Sequence, residues 1–152
     1  MKSLEEIQQE PHEQLINRVW IHMYRAHRYL YPKMEKHLRK HGFDSPFWHE
    51  ALVEIERAGE DGIRSTDLLS RLHMAQFNMS RHLSRMEKKG LIERVPCEKD
   101  RRAHFLRITP YGTQANKEIW PHYMEIIQEE LNDKLTKEEA FQFFSTLIKL
   151  YR

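Results

Sequence analysis

The stretch Met79-Ser80-Arg81-His82-Leu83-Ser84-Arg85-Met86-Glu87-Lys88-Lys89-Gly90-Leu91-Ile92-Glu93-Arg94 decides the fold of this chain. It changes period at Gly90. Before the glycine, Met79, Leu83 and Met86 recur at intervals of four and three, the spacing of one helix face. The opposite face carries Gln76, Asn78, Ser80, Arg81, Ser84 and Arg85. After the glycine, Leu91, Glu93 and Val95 alternate with Ile92 and Arg94, the period of a strand. The pattern predicts a helix over 75–89 that stops at Gly90, and a strand over 91–96.

Working upstream, Leu68, Leu69 and Leu72 predict a short helix capped by Ser65 or Thr66, with a break at His73-Met74. Gly62-Ile63-Arg64 reads as a short extended piece. Downstream, a polar turn over Cys97-Glu98-Lys99-Asp100-Arg101 leads to a second strand over 103–109. Helix, break, helix and hairpin is the order of a winged helix-turn-helix.

The flanks are helical. Leu15, Val19, Met23, Ala26, Leu30, Met34 and Leu38 predict a long helix over 11–41 ending at Gly42, while Trp20, Tyr24 and Tyr31 populate a second face. A helix apolar on two faces must meet two surfaces, one of them a second copy of the chain. Ser45 and Pro46 suit the N-cap and first position of a helix bearing Phe47, Ala51, Leu52, Ile55 and Ala58, ended by Gly59. Thr109-Pro110 opens another, with a kink or break expected at Pro121. Thr136 to Glu139 form a capping box before the stripe Phe141, Phe144, Leu147, Ile148 and Tyr151. The expected fold is mainly α with a small β-hairpin wing and six helices.

Composition agrees. The 152 residues are 39% hydrophobic and 32% charged, with no window apolar enough for a membrane span. The N-terminus is polar and acidic, unlike a secretory signal, and Cys97 is the sole cysteine, so a cytoplasmic protein is expected. The charge is unevenly placed. Residues 64–107 hold eleven basic and five acidic side chains, a formal +6, which leaves −4 for the rest of a chain whose total is +2. A basic middle on a neutral scaffold is the footprint of a polyanion binder.

The side chains fit duplex DNA. Gln and Asn match adenine, Arg matches guanine, and Ser adapts to base or phosphate. The candidate readers are Ser65, Gln76, Asn78, Ser80, Arg81, Ser84 and Arg85, joined by Lys99, Asp100, Arg101 and Arg102 at the wing. Arg suits the narrow minor groove, and Asp100 can brace a neighbouring guanidinium. His37 and His41 share a helix face as metal ligands can, with His49 following, but no further ligands converge in the sequence, so neither a metal nor another cofactor is expected. No Gly-rich phosphate loop, Gly-x-Ser-x-Gly elbow or His-Glu-x-x-His motif points to an enzyme.

Residues 63–112 resemble the MarR family of transcriptional regulators. The resemblance rests on Asp67-Leu68, Met74, the run from Met79 to Arg94, Asp100-Arg101-Arg102, and Leu106-Arg107-Ile108-Thr109-Pro110-Tyr111-Gly112. It implies one domain over 1–152, with a DNA-binding lobe over 45–110 and dimerisation helices over 10–41 and 111–152. It further implies a homodimer on a pseudo-palindromic operator, with Arg101 or Arg102 in the minor groove. It also implies a repressor answering to a small aromatic or phenolic effector, for which Trp20, Tyr24 and Trp48 are candidate contacts. His73 stands where a glycine is common, Met86 replaces the usual Leu, and the first helix lacks the reactive cysteine of peroxide-sensing members. The alternatives are a winged-helix protein-interaction module and a metal-responsive regulator. An interaction module would carry apolar residues where this chain has Gln76, Arg81, Arg85, Arg101 and Arg102.

Overall fold

A computed structural model of the chain describes residues 2–97 and 100–151, with the side chains of Phe77, Cys97 and 100–103 outside the description. It contains seven α-helices and one small sheet: α1 (Leu4–Gln8), α2 (His12–Lys40), α3 (Phe47–Arg57), β1 (Ile63–Arg64), α4 (Ser65–Arg71), α5 (Gln76–Lys88), β2 (Ile92–Cys97), β3 (Asp100–Ile108), α6 (Pro110–Leu131) and α7 (Lys137–Leu147). No helix is long and apolar enough to cross a membrane among the described residues.

The chain falls into two compact units, 1–33 and 34–152. The first holds the helix that the six-helix expectation lacked. α1 is five residues long and closed by a capping box, in which the Glu6 N–H donates to Ser3 Oγ (3.1 Å) and the Ser3 N–H donates to Glu6 Oε2 (2.6 Å). So short a helix has no room for an apolar period, and its signal lies only in the caps. Arg18 grips Glu10 through two of its guanidinium nitrogens, Nε and Nη2 (2.6 and 2.8 Å), and with Lys2 it holds that carboxyl down to about 2. No described residue of this unit is buried.

The second unit, 34–152, is the lobe, and it is wider than the 45–110 DNA-binding lobe read from the sequence. Its core gathers Leu38, Phe47, Trp48, Leu52, Ile55, Leu68, Met79, Leu83, Met86, Ile92, Leu106 and Ile119. Each such buried side chain contributes roughly 1.5–3 kcal/mol against exposure. β3 is the central strand, antiparallel to β2 on one side and to β1 on the other. The extended piece at 63–64 is therefore a third strand, which its length of two residues could not announce. The two wing strands reach further toward their tip than expected, and the ladder shifts register between Pro96 and Cys97.

Several helix ends depart from expectation by a residue. α4 begins at Ser65 itself, with Arg64 as a cap that offers no side-chain bond, so neither Ser65 nor Thr66 caps it. α3 begins at Phe47 after a helical Pro46, although the Ser45 hydroxyl still accepts the Phe47 N–H (3.3 Å). α6 runs unbroken through Pro121 for 22 residues. A proline removes one ladder bond and crowds one carbonyl, and the helix absorbs both. Thr109 and Thr136 cap α6 and α7 as their sequences indicate.

Thr109 also explains why a glycine follows at 112. Its hydroxyl accepts the Gly112 N–H (2.9 Å) and lies 2.6 Å from the Gly90 carbonyl oxygen, to which it donates. The start of α6 is thereby pressed on the Gly90–Leu91 backbone, and a Cβ at Gly112 would overlap the Leu91 carbonyl oxygen.

Candidate nucleic-acid interface

α5 takes its orientation from Met79, Leu83 and Met86, all at 2% exposure or less. That burial turns Gln76, Asn78, Ser80, Arg81, Ser84 and Arg85 to solvent. At 3.6 residues per turn, Arg81 and Lys88 point most directly away from the buried stripe. Lys88 is absent from the sequence candidates, and its spacing of four and seven from Ser84 and Arg81 is the signal for it.

The turn into α5 is made by His73, whose φ of +48° is left-handed. The Met74 N–H returns to the Leu69 carbonyl (3.3 Å). This is the corner at which a glycine is common in the family resembled, and here an imidazole-bearing residue occupies it.

Ser65, Gln76 and Ser80 meet at one hollow of about 260 Å³, together with Thr66 and Arg94. Leu69, Met79 and Leu83 complete its lining, and its polar groups are hydroxyls, an amide and one guanidinium, types that can bond phosphate oxygens. Arg94 reaches it from β2. Its guanidinium pairs with Glu87 (3.0 Å) and donates to Ser84 Oγ (3.3 Å), so it lies along α5. The strand period puts Arg94 on the Ile92 face without giving it a role, and that face is the one turned to α5.

Arg85 departs from its expected company. It is paired with Asp44 at 2.5 Å, and Lys89 reaches the same carboxylate at 3.4 Å. Much of its charge is thus answered within the lobe, where it ties α5 to the segment before α3. His82 takes up a proton less readily than an ordinary imidazole. Burial first, then the neighbouring Arg81 and Arg85 cations, hold its pKa below the ordinary 6.5, and its ring lies 4.9 Å from that of Phe47.

Of the wing candidates, Lys99 lies outside the described residues. Asp100, Arg101 and Arg102 belong to β3, and their side chains lie outside the description. The three effector candidates do not share one surface. Trp20 and Tyr24 line a shallow apolar hollow of about 200 Å³ with Met23. Trp48 has no exposure at all and is a core residue of the lobe, with the Lys89 ammonium 4.9 Å from its ring centre.

Comparison with known proteins agrees with this geometry. Residues 41–103 match the sequence model of the MarR family. The transcriptional repressor MprA of Escherichia coli K12 is 28% identical over 109 residues, which are 72% of this chain and 60% of MprA. The match therefore spans less than two thirds of that repressor. Among solved structures, AbsC, a MarR family transcriptional regulator from Streptomyces coelicolor, is 25% identical with a TM-score of 0.73, over 88% of this chain and 90% of AbsC. Sco3205 from the same organism, solved in complex with DNA, shares the fold at 22% identity and a TM-score of 0.76, over 93% of this chain and 90% of its own.

Proposed function

We propose that this chain is a MarR-family winged-helix protein, a transcriptional regulator that binds double-stranded DNA sequence-specifically, a repressor holding a pseudo-palindromic operator as a homodimer. The observation that carries this reading is the outward face of α5, where amide, hydroxyl and guanidinium groups stand over a buried Met79-Leu83-Met86 stripe. Arg81, Gln76 and Asn78 are the base readers in this reading. Arg94, Lys88 and the hydroxyls of Ser65, Thr66 and Ser80 hold phosphates. Arg101 and Arg102 extend the contact from the wing.

The dimer completes the site, because one reading helix covers only half of a palindrome and two set about 34–36 Å apart cover both halves. Large apolar side chains stand exposed toward both ends of the chain: Trp20 and Tyr24 on α2, and Phe141 and Phe144 on α7. A second copy is the partner that would cover them. Trp20 and Tyr24 belong to that pairing surface in this reading rather than to an effector site, and Trp48 to the core.

Selection of bound fragments from random duplex DNA tests the proposal and returns the operator with its symmetry. With about three phosphate-facing cations per protomer, affinity for the selected site is expected to fall about 1000-fold between about 50 and 200 mM salt. Arg81→Ala is expected to relax preference at one base pair per half-site by about 1–3 kcal/mol. No enriched sequence at low salt, or enrichment unchanged by Arg81→Ala, overturns it.

A further inference from the structure

Four side chains that α5 and the wing do not use converge at another place in the lobe. His37 stands in the last turn of α2 and His41 just after its end, and His122 and Glu125 stand one turn apart on α6. One ligating atom from each lies within 4.8 Å of all the others. The Glu125 carboxylate is 3.3 Å from His37 Nε2 and 3.7 Å from His122 Nδ1. The His41 and His122 rings stack at 3.5 Å between centroids, nearly parallel. His37 Nε2 is buried and makes no hydrogen bond of acceptable geometry, despite the nearby carboxylate. Three imidazoles and one carboxylate thus meet at one place, and one of the ring nitrogens is buried without a hydrogen bond among the described residues.

We propose that His37, His41, His122 and Glu125 form a binding site for one zinc ion. Three neutral imidazole nitrogens and a carboxylate oxygen are donors that zinc takes in four-coordinate geometry, whereas magnesium and calcium require oxygen shells. In a tetrahedron with ligand bonds near 2.0–2.1 Å the donor atoms stand about 3.3 Å apart. The present spread of up to 4.8 Å closes to that by side-chain rotation, since His41 and Glu125 are both exposed and have room to turn. His49, which the sequence sets beside His37 and His41, is not a ligand. Its Nδ1 is engaged with Asn116 Oδ1 at 3.0 Å. The ion would bolt the last turns of α2 to the middle of α6.

The test is a titration of the full-length, chelator-stripped protein with zinc alone, in competition with a chromophoric chelator, and a parallel titration with cobalt(II). One zinc per chain is expected, with a cobalt visible spectrum of four-coordinate intensity. His41→Ala combined with His122→Ala is expected to weaken binding by at least about 100-fold, while His104→Ala, on the exposed part of β3, leaves it unchanged. Absence of saturable zinc binding, a six-coordinate cobalt spectrum, or affinity that survives the double substitution overturns the proposal. The cobalt spectrum needs no variant, so it decides the matter even where the double variant folds poorly. None of these measurements involves DNA, so their outcome is separate from that of the DNA-binding reading.

Discussion

α5 and α7 are helices of thirteen and eleven residues in the same lobe, and they treat their apolar side chains in opposite ways. α5 sinks Met79, Leu83 and Met86 into the core and shows water its amides, hydroxyls and guanidinium groups. α7 has no buried residue, and Phe141, Phe143 and Phe144 are all more than half exposed. Both sequences carry an apolar stripe at helical spacing. The stripe says that a face will be covered, and the rest of the chain decides whether its own core does the covering. One lobe therefore offers two surfaces of different chemistry: a polar one that fits a charged, hydrogen-bonding partner, and an aromatic one that fits a second protein surface.

The contrast breaks most readily at α7. Replacing Phe141 and Phe144 together by Asp is expected to raise the dimer dissociation constant at least 1000-fold, since two aromatics at about 2–3 kcal/mol each leave the interface. Sedimentation equilibrium reads the change, and circular dichroism checks that helix content is kept. A double variant that dimerises as tightly as the parent would show that the α7 face is not the pairing surface, and the difference between the two helices would then have no bearing on assembly.

The α5 side sharpens through the backbone that holds it. Gly112→Ala is expected to cost about 3 kcal/mol in urea unfolding, the upper part of the overpacking range, because the new methyl would overlap the Leu91 carbonyl oxygen and approach Ile108 Cγ1 at 2.9 Å. Gly90→Ala is the comparison, with the opposite difficulty. Its backbone is left-handed at φ +75°, but nothing lies within 4 Å of its Cβ, so it should lose only about 1–2 kcal/mol. A loss at Gly112 no larger than that at Gly90 would mean that α6 shifts easily off the β2 entry, and that their close contact does not fix the end of α5.

These two glycines mark the boundary of what the sequence makes legible. The halt at Gly90, the 79/83/86 period, the Thr109-Pro110 start and the Thr136–Glu139 box are all decided within a turn or two of chain, where spacing and caps carry the information. The crowding at Gly112 comes from Leu91, in the link between α5 and β2. The Arg85–Asp44 pair joins residues 41 positions apart, and Glu125 comes to His37 across 88. No local rule brings such residues together. The packing of α3 and α6 on a common core does so, and only the folded chain displays it. Arg94 lies between these cases. Its place on the Ile92 face is readable from the strand period, but that this face turns to α5 is not.

His73 gives the smallest test. At φ +48° an L-residue loses about 1–2 kcal/mol relative to right-handed backbone, and glycine would recover that loss. Glycine in turn has a larger entropy in the unfolded chain, worth about 0.5–1 kcal/mol. The difference leaves His73→Gly more stable by at most about 1.5 kcal/mol, readable as a small upward shift of the urea midpoint. His73 is exposed and its ring centre lies 6.3 Å from that of Tyr151, so little packing is lost to offset the gain. A loss of stability would mean that the histidine side chain itself holds the corner before α5, and that its presence in place of glycine reflects a contact rather than tolerated strain.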